Sequence, residues 1–236
     1  MKLPFDHYTI HARLAPVFVL MAPLGIMLIA WFPKIAFWKT LPTALAIPLV
    51  LTFLFSQLGR DLGKKKEPDL YKKWGGIPTD KIIAHEEGPI DKNTWSRYRN
   101  KLSLLLPDIA LPDENHERLN PDSAVATYRS CTNFLREKTR DSKNFPLIFS
   151  ENINYGFRRN LWALKSAGIF ISAISIFFTL FALIAVSSGQ GLAVVIACLL
   201  VNISLLVWWV LRINPTWVKV PADEYARQLF AACENL

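Results

Sequence analysis

The chain has 236 residues, of which 52% are hydrophobic and 19% charged, and it carries a formal net charge of +8. Its apolar residues form long uncharged blocks between charged ones, a pattern that disfavours an ordinary soluble domain and is typical of a membrane protein with a water-facing insert. The three cysteines have no motif spacing, which argues against a disulfide framework and fits a reducing compartment.

Four uncharged runs are long enough to cross a bilayer, which needs roughly 20 apolar residues in a helix. They cover residues 14–32, 41–59, 166–190 and 191–211. We expect each run to be a membrane-spanning helix, because prolines such as Pro23 are tolerated there when neighbouring helices satisfy the freed backbone groups. A soluble bundle of buried helices is the alternative, and the absence of ionisable side chains from all four runs disfavours it.

Positive charges flank the runs mainly on one side of the predicted membrane. They are GRDLGKKK after the second run, Arg158, Arg159 and Lys165 before the third, and Arg212 and Lys219 after the fourth. By the positive-inside rule, both termini and residues 60–165 are cytoplasmic. The cations before the third run then form a collar that can meet anionic headgroups of the membrane lipids.

The expected fold class is an all-α integral membrane protein with two transmembrane helical hairpins and an inserted helical cytoplasmic domain. The boundaries are an N-terminal membrane hairpin at 1–59, a ligand-binding helical insert at 60–165, a C-terminal membrane hairpin at 166–212 and a cytoplasmic tail at 213–236.

Within the insert, PDLYKKWGG predicts a short helix that glycines end, and IPTDKIIAHEEG predicts a second helix capped by Thr79. TWSRYRNKLSLL predicts a third helix, and the polar stretch 107–122 predicts a loop. Pro121 then opens a helix that runs to about Asp141. A last helix, with Gly156 as a break, leads into the third span.

Two of these helices have clear apolar faces. One face holds Trp95, Tyr98, Leu102 and Leu105, with Arg97 and Lys101 on another side. The helix after Pro121 has an apolar face of Ala124, Tyr128, Cys131 and Leu135. Helical spacing of this kind predicts that both faces are buried.

Catalytic and metal-binding patterns are scarce. His7 and His11 share a helix face, but no third ligand is near, so an interfacial pair is favoured over a metal site. His85, Glu86 and Glu87 could serve acid–base chemistry, but adjacent residues on a helix point in different directions, which favours an exposed charged turn. We therefore predict no enzyme, no metal and no cofactor.

Basic residues alternate with aromatic residues in the insert, in YKKW, WSRYR and YGFRR, and a stripe of arginines spaced seven and four apart follows Pro121. Proteins that hold single-stranded nucleic acid bind phosphates with cations and stack bases on rings. The candidate ligand-binding residues are Lys72, Lys73, Trp74, Arg129, Arg136, Arg140, Arg158 and Arg159. The alternative for the arginine stripe is a solvated face paired with Glu137 and Asp141.

One face of the third span carries small and hydroxyl side chains, namely Gly168, Ser172, Ser175, Thr179 and Ala182. Such a stripe either lets helices pack closely or lines a water-filled path when copies assemble. Ser172, Ser175 and Thr179 are the pore-lining candidates. Because four helices leave little room for a pore, a conducting form would be a homo-oligomer, for which we expect a tetramer.

The segments YKKWGGIPTDKIIAH and ENINYGFRRNLWALKS are similar to stretches of a bacterial four-span family. The whole organisation resembles the small membrane effectors of bacterial anti-phage systems. In architecture it is similar to the effector of the Hailong system. This resemblance implies an oligomeric ion channel of the bacterial inner membrane, gated by a nucleotide or a short single-stranded DNA that a partner nucleotidyltransferase makes. A membrane scaffold that recruits a cytoplasmic protein partner, and a membrane-bound enzyme, are the alternatives.

Overall fold

The structure is a computed structural model that describes residues 8–31, 41–85, 88–185 and 190–236, with the backbone alone described for 41–56 and 190. Every regular element in these residues is helical, which confirms the all-α class for them. In chain order the elements are a π-helical turn Thr9–Leu14, α1 Ala15–Trp31, α2 Leu41–Trp74, α3 Pro78–Ile83, α4 Lys92–Leu105, α5 Glu114–Leu119, α6 Pro121–Lys138, α7 Pro146–Ala163, α8 Lys165–Ala185, α9 Gln190–Leu211, α10 Pro215–Ala231 and a 3-10 turn Ala232–Asn235.

The chain divides into two units. The membrane unit comprises Met1–Glu67 with Gly156–Val218, and the insert unit comprises Pro68–Tyr155 with Lys219–Leu236. The divisions fall inside α2, α7 and α10 rather than at the predicted boundaries. Most of the predicted tail therefore belongs to the insert unit.

The membrane unit contains three helices in the described residues that are long and apolar enough to cross a bilayer. They are Thr9–Trp31, Lys165–Ala185 and Gly191–Leu211. The predicted second span, 41–59, lies in α2, and its side chains up to residue 56 are outside the described residues.

The helices α1, α8 and α9 pack against one another and expose large apolar side chains on their outer faces. Examples are Phe18, Phe170, Ile184, Leu200 and Leu211. So much exposed apolar surface is unfavourable in water and is covered by lipid tails in a bilayer. The chain is therefore a membrane protein.

A polar contact from α7 supports the start of α1. Pro16 has no N–H, so the carbonyl of Ala12, four residues earlier, lacks the usual helical donor. The Asn160 side-chain amide donates a hydrogen bond to that carbonyl over 2.8 Å. A neighbouring helix thus supplies the donor that proline removes, which is how membrane helices accommodate this residue.

The insert unit is built around one apolar core to which α3, α4, α6, α7 and α10 contribute. Its largest buried members are Ile82, Ile83, Leu102, Tyr128, Leu135, Leu229 and Phe230. The predicted apolar face of α6 is confirmed, because all four of its residues are buried, whereas in α4 Tyr98 and Leu102 are buried and Trp95 and Leu105 are half-buried. The contribution of α10 was not predicted.

Some predicted helix boundaries in the insert are wrong. PDLYKKWGG is the end of the 34-residue α2 rather than a separate helix. Gly75 and Gly76 end α2, with φ angles of +70° and +136° that favour glycine. The N-cap of α3 is Ile77 rather than Thr79, since Pro78 presets the first turn and no side chain caps it.

Three further expectations differ from the structure. The predicted loop at 107–122 contains α5, which begins where the Asp113 carboxylate accepts the His116 N–H over 2.7 Å. The helix α6 ends at Lys138, before Asp141. Gly156 lies within α7 and does not break it; its lack of a side chain instead makes room for Tyr8 and Ala12.

Candidate functional site

Two members of the arginine stripe, Arg129 and Arg136, lie on the exposed side of α6, and the third, Arg140, lies just beyond Lys138, where the helix ends. Arg129, Arg136 and Arg140 are all solvent-exposed. The Arg136 guanidinium lies over the Tyr225 ring of α10, 5.9 Å from the ring centroid. Arg140 pairs with Glu137 at 3.3 Å, but both side chains are so exposed that water competes with this pair. The guanidinium groups therefore remain accessible to an anion in solution.

Asp80 of α3 faces the same stripe. Burial raises the pKa of Asp80 above its usual value, although the positive charges of Arg129 and Arg136 and a hydrogen bond from Thr79 act in the opposite direction. The Asp80 carboxylate and an anionic ligand would compete for Arg129 and Arg136.

The end of α2 supplies the second predicted basic group. Lys72 and Lys73 are exposed, whereas Trp74 is buried and meets the Tyr71 ring edge-on at 5.9 Å between centroids. Lys81 of α3 donates a hydrogen bond to the Trp74 carbonyl over 2.9 Å. Because Lys81 follows Asp80 directly, α3 adjoins both the end of α2 and the arginine stripe.

The remaining two predicted ligand residues, Arg158 and Arg159, belong to the membrane unit and bind protein groups there. Arg158 donates to the Trp217 carbonyl over 2.9 Å, and its guanidinium carbon lies 4.9 Å from the Trp217 ring centroid. Arg159 is buried and pairs with Glu67 at 2.8 Å. Their predicted role in ligand binding stays a prediction.

Lys165, the third cation of the predicted collar, holds the end of α9. Its ammonium group donates to the carbonyls of Val210 at 2.9 Å and Ile213 at 2.7 Å. A positive charge at a helix C-terminus is favourable because the last carbonyls lack helical donors. Lys66 does the same at the end of α7, where it reaches the Ala163 carbonyl over 3.1 Å.

A polar network in the insert unit was missed by sequence reasoning. Arg99 is buried, donates to the carbonyls of Ile83 and Pro112, and lies over the Trp95 ring at 4.8 Å. A buried arginine normally needs such partners. The signal that could have found it is its position next to Tyr98, at the border of the apolar face of α4.

Glu117 is the acidic centre of the same network. Its carboxylate accepts hydrogen bonds from the His85 backbone N–H and the Tyr128 hydroxyl, both at 2.9 Å. Burial and this bond raise the pKa of Tyr128 to about 12. The network ties loops to the core. His85 is part of it, while Glu86 and Glu87 lie outside the described residues.

Metal ligands do not converge in the part of the chain that the structure describes. No group of three His, Cys, Asp or Glu side chains there is placed to hold an ion. His11 is exposed on the π-helical turn, and His7 lies outside the described residues.

The hydroxyl stripe of α8 lies inside the membrane unit. Gly168, Ser172, Ser175, Thr179 and Ala182 are its buried positions, and α1 and α9 pack against this helix. A side chain at position 168 would overlap the Trp209 ring of α9. Within one chain the stripe therefore packs helices closely, and a pore-lining role stays a prediction for an assembled form.

Comparisons with models of known families, with curated proteins and with solved structures found no match for this chain.

Proposed function

We propose that the chain is a membrane effector whose insert unit binds a nucleotide or a short single-stranded DNA, and whose membrane unit conducts ions when copies assemble. In this function the chain is a four-span protein of the bacterial inner membrane with both termini and the insert in the cytoplasm. The resemblance to anti-phage effectors supports a role in defence, with a partner nucleotidyltransferase as the source of the signal.

Three exposed arginines support this function most directly. Arg129 and Arg136 present guanidinium groups on the exposed side of α6, Arg140 adds a third just past the end of that helix, and Lys72 and Lys73 add charge at the end of α2. One guanidinium group can donate two hydrogen bonds to the oxygens of a phosphate. A row of guanidinium groups therefore suits a polyanion better than a single small anion. Because α2 belongs to both units, a ligand that distinguishes two arrangements of this helix can shift their populations.

The binding test uses purified protein in detergent and a fluorescently labelled single-stranded DNA, measured by anisotropy over a salt series. Each phosphate contact on a single strand contributes about 0.7 to the slope of log K against log salt. Combined substitution of Arg129, Arg136 and Arg140 by Ala should weaken binding at least about tenfold and lower that slope by about 2.

A matched control removes the same charge elsewhere on the insert unit. Lys92, Arg118 and Lys143 are exposed and lie outside α6. Their combined replacement by Ala should leave the affinity within about twofold, because only long-range attraction is lost. Equal losses in both triple variants, or no binding by the wild type, would rule out the arginine stripe as the site.

A further inference from the structure

Polar side chains lie on the buried faces of α8 and α9, which pack against each other and against α1 in the membrane unit. The buried face of α8 carries Ser172, Ser175 and Thr179. The buried face of α9 carries Val195, Cys198, Asn202 and Trp209. These α9 positions recur at helical spacing, so they point to the same side of the helix.

Two contacts fix the register between the helices. Trp209 packs on Gly168, and Val195 shares an apolar cluster with Ala182. These contacts are fourteen residues apart on each helix, so one antiparallel register holds between them. Asn202, seven residues before Trp209, is therefore level with Ser175, seven residues after Gly168.

Four polar atoms of Asn202, Ser172 and Ser175 lack hydrogen-bond partners among the described residues. They are both amide atoms of Asn202 and the hydroxyl oxygens of Ser172 and Ser175, and the indole nitrogen of Trp209, seven residues further along α9, also lacks a partner. Asn202 and both serines are completely buried. Other hydroxyls in these helices bond to the backbone, as Thr179 does to the Ser175 carbonyl over 2.7 Å. A buried amide with no partner is strongly unfavourable in an apolar medium, so these groups need a ligand.

The ligand must be neutral and small. Residues 166–185 and 191–211 contain no Asp, Glu, Lys, Arg or His. An ion held at this depth would have no charged side chain of these segments to compensate it, which the bilayer penalises. Water matches the site, because it offers two donors and two acceptors to one amide and two hydroxyls.

We propose that Asn202, Ser172 and Ser175 form a site that holds ordered water between α8 and α9. The Trp209 ring on Gly168 closes the site on one side, and the apolar cluster of Ala182, Val195 and Cys198 closes it on the other. The site lies wholly in the membrane unit, so it does not depend on whether the insert unit binds a nucleotide. It makes the α8–α9 interface the place where a hydrated path would start.

Water-edited solid-state NMR on the protein in lipid bilayers tests this site. Uniformly ¹⁵N-labelled protein would be used, and the side-chain signal of Asn202 would be assigned by its loss in Asn202→Leu. The backbone amide of Val201 is the control, because it has nearly the same depth and its side chain is exposed on the apolar surface of the membrane unit. Magnetisation from water should reach the Asn202 amide several times faster than it reaches Val201.

A double variant, Ser172→Ala with Ser175→Ala, removes two partners of the water and keeps the helix propensity high. In this variant the transfer to Asn202 should slow severalfold. A wild-type Asn202 signal that builds up as slowly as that of Val201 would show a dry amide and overturn the site. A transfer rate that the double variant leaves unchanged would remove the serines from it.

Discussion

Gly168 of α8 packs directly against the Trp209 ring of α9, where a Cβ at position 168 would overlap the ring. Trp209 is completely buried, so its ring has no room to move away from an added methyl group. Gly25 is the natural contrast, because it lies in α1 with nothing within 4 Å of a Cβ there. An alanine side chain would therefore meet filled space at position 168 and open space at position 25.

Gly168→Ala should lower the free energy of unfolding by about 1–3 kcal/mol, because the added methyl group would overlap the Trp209 ring and overpack the contact between α8 and α9. Gly25→Ala should be neutral or slightly stabilising, since alanine is the better helix former. Chemical denaturation in detergent, followed by tryptophan fluorescence, measures both. Equal destabilisation by the two variants would contradict the close packing at Gly168.

The environment of Asp80 is unfavourable for its charged carboxylate, and the pH dependence of stability can reveal this. Because folding raises the pKa of Asp80 above 3.8, the folded chain favours the protonated carboxyl, and the charged form costs stability. This cost is absent below the unfolded-state pKa and reaches its full size as the pH rises through the folded-state pKa. Asp80→Asn should therefore be more stable than the wild type at pH 7, with a difference that shrinks as the pH falls towards 3.8.

Asp91→Asn is the matched control with the opposite sign. The Asp91 carboxylate accepts the Thr94 N–H at the start of α4, and this bond lowers the pKa of Asp91. Its stabilisation is present above the unfolded-state pKa and is lost as the pH falls, so Asp91→Asn should be less stable at pH 7. Denaturant midpoints from pH 3 to 8 give both trends, and a pH-independent Asp80→Asn difference would show that the ionised Asp80 carboxylate does not lower the stability.

At the scale of the elements, helix faces were predictable and helix ends were not. Ala124, Tyr128, Cys131 and Leu135 are buried, as their spacing in the sequence predicts, because a long amphipathic helix has only one way to turn its apolar side inward. The continuity of α2 was missed because its hydropathy changes at GRDLGKKK, although nothing there breaks a helix. Hydropathy reports the surroundings of a helix rather than its length.

The candidate site could also be predicted only in part from the sequence. The exposure of Arg129 and Arg136 follows from their position away from the apolar face of α6, whereas Arg140 lies past the end of the helix. The partners of Arg158, Arg159 and Lys165 could not be predicted, because Trp217, Glu67 and Val210 are distant in sequence. Only packing brings these groups together, and a cation next to a span is equally compatible with lipid and with protein.

Lys165 gives an element-scale prediction. Its two bonds connect the first residue of α8 to the end of α9, and a hydrogen bond to a charged group contributes about 1.5–3 kcal/mol. Lys165→Met should therefore lower the free energy of unfolding by about 1–3 kcal/mol. Lys64→Met, at an exposed position of α2, is the control and should change it by less than about 0.5 kcal/mol. Similar effects in the two variants would show that Lys165 does not hold α9.

At the scale of the whole molecule, the charge distribution predicts which side of the membrane the insert occupies. The native thiols of the insert unit should react slowly with a thiol reagent, because thiolate is the reactive form. Burial raises the pKa of Cys131, and it raises the pKa of Cys233 to about 11. Ser96 is exposed on α4 and suits a reporter cysteine.

In intact bacterial cells, Ser96→Cys should resist a membrane-impermeant maleimide and become labelled only after the membrane is permeabilised. The wild type, with its buried cysteines, should stay unlabelled in both conditions. Labelling of Ser96→Cys in intact cells would place the insert outside the cytoplasm and reverse the proposed topology.

Gating of the proposed channel is tested by the current across a planar bilayer that contains the purified protein, before and after single-stranded DNA is added on the insert side. We expect the wild type to change its current on addition, and the Arg129, Arg136 and Arg140 triple variant to incorporate equally but not respond. Wild-type protein that binds the DNA without any change in current would contradict a ligand-gated channel and favour a membrane scaffold.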